Sequence, residues 1–193
     1  NNIQNNVKNN VQNNVQNNNL QKKINQENLK SKIIFKKTPK TNEKIIKKFL
    51  EKFKNKNFFL SLKKISWASS KNRGLAWASK IYFNFDKIDN NQEFKRVMIH
   101  EMWHVFDLWF LNSNEKKIAS NFKDWTKTVY ADDPSVEFYS LCFSNENTKN
   151  WKCKTKDFPS KYWQTDPFED FAESFLLFIE NNSSFKEMWK ESK

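Results

Sequence analysis

Glycine, arginine, histidine and cysteine are scarce in this 193-residue sequence, which contains one Gly, two Arg, two His and two Cys. No apolar run approaches the ~20 residues that a membrane-spanning helix needs, so we expect no membrane span. Cys142 and Cys153 are too few to form a four-ligand zinc site of their own. We expect them either to close a small loop by a disulfide bond, in an oxidising compartment, or to remain two free thiols.

Lysine, asparagine and large aromatic rings are abundant instead. Hydrophobic residues make up 37% of the chain and aromatic residues 16%, which is enough for a core built on rings. The net charge of +12 is uneven, with +16 in residues 1–99 and −4 in residues 100–193. Such asymmetry is typical of contact with nucleic acid or an anionic surface. The excess of Lys and Asn is also typical of codon bias in an AT-rich genome, and we favour this second explanation.

The chain opens with NNIQNNVKNNVQNNVQNNN, a four-residue repeat in which every fourth residue is Ile or Val. One small apolar residue in four cannot form a core, so residues 1–30 are predicted to be a disordered tether. Residues 31–193 are predicted to form one folded domain. Because the sequence does not begin with Met, we expect a secreted product from which a signal peptide has been removed.

The remaining pattern predicts a mixed α+β domain. TPKTNEKIIKKFLEKFK predicts a helix with Thr38 or Thr41 as its cap and Pro39 in its first turn. NFFLSLKKISW and LAWASKIYFNF, rich in aromatic and β-branched residues, predict two or more strands, with Gly74 in the break between them. The other predicted elements are a helix over residues 92–111, a loop-rich stretch over 112–165, a helix over 167–181 and a short helix that begins at Ser184.

Both histidines lie within KRVMIHEMWHVFDLWF, four residues apart. In a helix this spacing stacks His100 and His104 on one face, where both can bind one metal ion. Glu101 can then reach a water molecule but not the metal, which is the position that a general base requires. The HExxH pattern therefore indicates a zinc hydrolase. The alternative is two structural histidines beside a glutamate that pairs with a nearby lysine.

A catalytic zinc ion held by two histidines needs a third protein ligand and an open position for water. The chain has no third histidine, which excludes the metzincin type. Asp124 lies near the spacing at which thermolysin-like enzymes place their glutamate ligand. A better source is DPFEDFAESFLLFIE, where Glu169 and Glu173 share the edge of an apolar helix face.

HEMWHVFD followed by EDFAESF resembles the zinc peptidases grouped with anthrax lethal factor and the Pro-Pro endopeptidases. Those proteins carry an Asp three residues past the second His, and a later F-A-E-x-F helix whose Glu completes the site. The resemblance implies a zincin-like fold, with a small mixed sheet packed on the HExxH helix and a C-terminal helical part that carries the third ligand. It implies His100, His104 and Glu173 as ligands of one Zn²⁺, with Glu101 as the base. Asp107 matches the family's Asp and is expected to orient a ligand or to support the fold.

KYWQTDPFEDFAESF also resembles a bacterial group of zinc peptidases with a Y-A-x-T-N-P-x-E-D-F-A-E signature. The lethal factor relatives place a Tyr seven residues before the ligand Glu, where it stabilises the oxyanion. Counted from Glu173, that position is Asp166. We expect Tyr162 to be the substitute donor, with Tyr130 and Tyr139 as alternatives.

Four further residues complete the predicted site. Trp103 stands where the lethal factor relatives have a small residue, so we expect a cleft floor of different shape. Glu169 and Asp170 are expected to accept hydrogen bonds behind the ligands, or to favour the helix start through its dipole. Tyr162 has the alternative of simply packing against Trp163.

We therefore expect a monomeric, secreted zinc endopeptidase that hydrolyses a protein or peptide substrate with a zinc-activated water. Residues 112–165 are expected to line its substrate cleft. The rival hypothesis is a basic module that binds nucleic acid or an anionic surface, in which the HExxH pattern is structural or degenerate. The basic stretch FKNKNFFLSLKKISW fits this rival weakly, because no nucleic-acid-binding motif accompanies it.

Overall fold

The computed structural model describes residues 33–52, 61–111, 118–125, 127–155, 158 and 162–181. The predicted tether and the predicted helix at Ser184 lie outside these residues. Within them the chain is mixed α+β, as expected, with four α-helices and three small sheets. No described helix has the length and apolar character required to cross a membrane.

The helices are α1 (Lys40–Glu51), α2 (Asn91–Val105), α3 (Ser135–Cys142) and α4 (Pro167–Glu180). The strands are β1 (Ile34–Lys36), β2 (Lys64–Trp67), β3 (Gly74–Trp77), β4 (Lys80–Phe83), β5 (Ala119–Asp124), β6 (Lys127–Tyr130), β7 (Phe143–Asn145) and β8 (Thr148–Lys149). A π-helical turn over Phe106–Phe110 continues α2, and short 3₁₀ turns cover Phe85–Lys87 and Tyr162–Gln164.

The largest sheet has the strand order β1-β2-β4-β3. β1, β2 and β4 are parallel to one another, whereas β3 runs antiparallel to β4 and forms an edge of the sheet. Ile65 pairs with Ile81, and both side chains are fully buried in a core shared with α2 and α4. The placement of Gly74 in a break was wrong, because Gly74 pairs with Phe83 as the first residue of β3.

The predicted first helix is confirmed as α1, but its predicted caps are wrong. Pro39, with an extended backbone, is the N-cap, and no side chain caps the helix. Proline fixes φ near the helical value and needs no amide partner at a helix start, so the chain can begin α1 without a capping hydroxyl. Thr41 lies within the helix, and Ile46 is its fully buried residue.

The predicted long helix is confirmed as α2 with its π-helical continuation. The Asn90 side chain accepts hydrogen bonds from the backbone N–H groups of Gln92 and Glu93, which fixes the start of α2. At the other end the N–H of Leu111 donates to the carbonyl of Phe106, the wider hydrogen bond of a π-turn.

The predicted second long helix is confirmed as α4. Asp166 caps it by accepting from the N–H groups of Phe168 and Glu169, and Pro167 occupies its first turn. α4 packs along α2, where Trp103 stacks on Phe175 with ring centroids 4.0 Å apart. Trp103 is therefore buried between the two helices.

The stretch predicted to be loop-rich contains more regular structure than expected. Its described residues form the β5–β6 hairpin, α3 and the β7–β8 hairpin. The two cysteines, whose state was left open, form a disulfide between Cys142 at the end of α3 and Cys153 after β8. The bond closes a loop around the small second hairpin.

Candidate metal centre

The two histidines of α2 face each other, as their spacing predicts. The Nε2 atoms of His100 and His104 are 3.0 Å apart. Their rings are nearly perpendicular, with centroids 4.7 Å apart. His100 is buried, so its ring is shielded from solvent.

Glu169 of α4 supplies the third side chain at this point. Its Oε2 atom lies 3.0 Å from His100 Nε2 and 3.5 Å from His104 Nε2. The same oxygen is buried and makes no well-oriented hydrogen bond to the described residues. Within the described part of the chain these three residues form the one group whose potential ligand atoms could hold a metal ion, all within 4.8 Å of one another.

Glu173, the third ligand expected from the sequence, occupies a different place. Its Oε1 atom lies 2.7 Å from His100 Nδ1, the other ring nitrogen. Its Oε2 atom accepts a hydrogen bond of 3.0 Å from Trp163 Nε1. Four residues advance a helix by about 6 Å while nearly restoring its orientation, so both glutamates face α2 but at different heights. The structure therefore brings Glu169, and not Glu173, to the shared position of the two Nε2 atoms.

The geometry of the three donor atoms suits a zinc ion. Tetrahedral zinc with bonds of about 2.0–2.1 Å places its ligand atoms about 3.3 Å from one another. The three observed separations are 3.0, 3.0 and 3.5 Å. Two imidazole nitrogens and one carboxylate oxygen are also a donor set found at catalytic zinc sites.

The pKa values show strong mutual dependence among these groups. Burial lowers the pKa of His100, but the carboxylates of Glu169 and Glu173 outweigh burial and raise it to about 10. Burial also lowers the pKa of His104, and the Glu169 carboxylate again reverses the effect. Burial raises the pKa of Glu169, yet the two imidazoles hold it well below its usual range. A bound cation would take the place of protons here, as metal binding to histidine requires.

Glu101 points from α2 toward the edge strand β3. Its carboxyl group is buried and accepts a hydrogen bond from the backbone N–H of Ala76. Burial raises its pKa above the usual range, against the attraction of His104 and His100. A Cβ atom on Gly74 would lie 2.5 Å from Glu101 Oε1, so only glycine allows β3 to approach this closely.

Tyr162 lies on the other side of His100. The two rings have centroids 5.9 Å apart, and Tyr162 is half-exposed. Burial and the nearby Glu169 carboxylate raise its pKa, so its hydroxyl group stays protonated and can donate a hydrogen bond. His100, Glu101 and Tyr162 line one cavity of about 450 Å³. Tyr139, an alternative donor in the sequence, is instead buried with its hydroxyl donating to Asp107.

Asp107 and Asp124 lie near the group without joining it. The two carboxylate oxygens of Asp107 accept hydrogen bonds from the hydroxyl groups of Ser135 and Tyr139, which ties the π-turn to α3. Burial raises the pKa of Asp107 to about 7. Asp124 of β5 interacts electrostatically with His104 and Glu169, but none of its atoms belongs to the candidate metal group.

Asp170 is buried beside Glu169, and its surroundings differ from the expectation that it accepts hydrogen bonds. Its carboxyl group has no hydrogen-bond partner among the residues that the structure describes. Burial and the charge of Asp166 raise its pKa to about 7. Asp170 is therefore a carboxyl group that the fold buries at a cost.

Sequence reasoning missed four partners of the site: Gly74, Ala76, Ser135 and Trp163. Gly74 leaves room for the Glu101 side chain, and Ala76 donates its backbone N–H to it. Neither contribution involves a side chain that a sequence motif would show. Ser135 and Trp163 carry ordinary polar atoms, and only the packing of α3 and of the Tyr162–Gln164 turn brings them to the site.

Comparisons with protein-family models, with curated proteins and with solved structures find no match to this chain.

Proposed function

We propose that this chain is a zinc-dependent endopeptidase with a zincin-like fold. The observation that carries the proposal is the convergence of His100, His104 and Glu169 within 4.8 Å. A second observation supports it, since the buried Glu101 carboxyl group and the Tyr162 hydroxyl group open into the same cavity. A metal with one open position, a base and a hydrogen-bond donor are the parts that peptide hydrolysis requires.

The proposal assigns the third ligand to Glu169 and removes one departure from the lethal factor group. That group places its tyrosine seven residues before the ligand glutamate. Counted from Glu169, the seventh residue back is Tyr162. Both the distances and the family spacing thus favour Glu169 over Glu173.

The roles of the side chains follow from their surroundings. His100, His104 and Glu169 would hold the zinc ion, which when bound polarises the scissile carbonyl and acidifies a water. Glu101 would accept a proton from a water molecule and pass it to the leaving amine, and burial raises the pKa of its carboxyl group, which favours its holding that proton between the two steps. Tyr162 donates a hydrogen bond to the oxygen on which negative charge develops.

An extended peptide could align beside β3. This strand is a sheet edge, the kind of surface to which a substrate strand can add, and the N–H of its Ala76 donates to Glu101. Glu101 contacts Gly74 at the beginning of the same strand, which places the scissile bond close to that edge. The exposed side chains of Leu75 and Trp77 add apolar surface there.

Zinc content and cleavage, measured on the same preparations, test the proposal. We expect about one zinc per chain in the wild type, loss of that zinc in His104→Ala, and cleavage of a peptide library by the wild type alone. Glu101→Gln is the matched control, because it retains zinc and fold while its rate falls by at least about 100-fold. A well-folded chain that binds no zinc would instead favour the basic binding module.

A further inference from the structure

Three cationic side chains line the cavity beside the metal group. They are Lys71, Arg73 and Arg96, called here the cationic wall, and His100 and Tyr162 line the same cavity. The sequence contains 34 Lys and Arg residues, and only two of them are Arg. Both arginines therefore lie at this one cavity, and Arg is the residue whose planar fork suits carboxylates best.

The acidic side chains that line the same cavity are already engaged. Glu93 pairs through Oε1 with Arg73, and its Oε2 accepts a hydrogen bond of 2.7 Å from the backbone N–H of Asp89. Glu173 uses one oxygen at His100 and the other at Trp163. Glu101 is buried against β3. Each of these carboxylates therefore already has at least one partner within the fold.

The cationic side chains, in contrast, retain donors. Arg73 pairs with Glu93, and Arg96 pairs with Glu180 at 2.8 Å, each through a single terminal nitrogen. A guanidinium group has five N–H donors, so most of each fork remains unused by these pairs. The arginine side chains are 57% and 52% exposed. The ammonium group of Lys71 has no partner among the described residues.

We infer that this cavity binds a carboxylate of the peptide substrate close to the scissile bond. The inference rests on the proposed peptidase function and adds the class of substrate. The donors that Lys71, Arg73 and Arg96 leave unused complement an anion. Arg96 also borders a second cavity of about 670 Å³ that continues between α2 and α4. The carboxylate comes either from an Asp or Glu side chain or from the C-terminus of a short peptide.

The experiment uses zinc-loaded Glu101→Gln protein and peptides that differ at one residue near the scissile bond. Glu, Gln and Lys versions are prepared with free and with amidated C-termini, and their Kd values are measured by calorimetry. We expect the Glu version to bind about fivefold or more tightly than the Gln version, and the Lys version to bind most weakly. A preference that depends on the free C-terminus alone identifies the terminal carboxylate as the ligand.

Variants of the cationic wall locate the effect. Lys71→Met and Arg96→Gln, each combined with Glu101→Gln, should bring the Glu-to-Gln ratio of Kd values close to one. Lys36→Met, at the opposite edge of the sheet, is the matched control and should leave the ratio unchanged. The ratio should also shrink in high salt, because these side chains are partly exposed.

The outcomes separate this inference from the proposed function. Active wild type that cleaves and binds Glu, Gln and Lys peptides equally would overturn the carboxylate site while the peptidase stands. A Glu preference that survives in both wall variants would likewise overturn it. Binding of acidic peptides without cleavage by the wild type would overturn the peptidase and retain the site. Absence of both binding and cleavage overturns both.

Discussion

The two ring nitrogens of His100 face different surroundings, although a glutamate from α4 approaches each of them. On the Nε2 side lie His104 and Glu169, with separations between 3.0 and 3.5 Å and no other described partner for the Glu169 oxygen. On the Nδ1 side lies Glu173, whose second oxygen is held by Trp163. Two chemically identical side chains one helical turn apart thus receive different tasks. The Nε2 side could hold a metal ion, and the Nδ1 side places a carboxylate 2.7 Å from the ring.

We expect the largest loss of zinc affinity from removing the carboxylate on the Nε2 side of His100. Glu169→Ala removes one of the three proposed zinc ligands, so we expect zinc affinity to fall by more than ~100-fold, the upper end of the losses seen when a residue that hydrogen-bonds a ligand is removed. Competition with a chelator of known affinity, at fixed buffer and pH, measures the change. A Glu169→Ala variant that keeps wild-type zinc affinity would contradict the assignment.

Changing the carboxylate on the Nδ1 side of His100 should lower zinc affinity less. Glu173→Gln keeps the size of the side chain but removes the charge that faces His100, and we expect zinc affinity to fall about 10–100-fold. The same chelator competition gives a direct ranking against Glu169→Ala. The ligand set expected from the sequence requires the reverse ranking, so the two variants together decide between Glu169 and Glu173.

A smaller effect should follow from removing the hydrogen bond behind Glu173. Trp163→Phe retains a buried ring and deletes the Nε1 donor, and we expect zinc affinity to fall about 3–10-fold. If Trp163 acts through Glu173, the double variant Trp163→Phe with Glu173→Gln should lose little beyond Glu173→Gln alone. Fully additive losses would show that Trp163 has a separate role.

Replacing Asp170 is expected to change zinc affinity least, because Asp170 contacts neither ring nitrogen of His100. Its effect is expected on stability instead. Its folded pKa of about 7 lies above the usual value of 3.8, so the folded chain binds this proton more tightly. Stability from this group is therefore lost as pH rises from about 4 to about 7. Asp170→Asn should raise the free energy of unfolding above pH 7 by at most about 4 kcal/mol and should change it little near pH 4.

Urea unfolding of Asp170→Asn at several pH values checks this expectation. Glu137→Gln, at an exposed position of α3, is the matched control and should show no such pH-dependent gain. Equal stability of Asp170→Asn and wild type above pH 7 would mean that the carboxyl group is not buried at a cost. Zinc affinity should change little in either variant.

The helix that carries the two histidines of the candidate metal group could be predicted because the sequence leaves few choices there. The chain has two histidines, and their spacing of four residues places both on one face of a helix. The third ligand could not be chosen in the same way, because Glu169 and Glu173 share a face of α4. The packing of Trp103 on Phe175 sets the height of α4 against α2, and no motif reports that height.

If the proposed resemblance to the lethal factor group holds, the sequence contains a signal that favours Glu169. A tyrosine stands seven residues before it, whereas Asp166 stands seven residues before Glu173. The hairpins between α2 and α4 were hidden for another reason. Strands of two to six residues with bulged or irregular pairing give too short a hydrophobic alternation to be distinguished from loops.

Gly74 has a consequence for how this chain can evolve. It is the only glycine in the sequence, and its φ is not positive, so space alone reserves the position. A methyl group there would lie 2.5 Å from Glu101 Oε1 and 2.7 Å from Glu101 Cγ. Under the proposed function, we expect a duplicated gene that acquires alanine at this codon to encode a folded, metal-binding protein in which Glu101 is displaced. One mutation outside every recognisable motif would then separate the proposed peptidase from a peptide-binding protein.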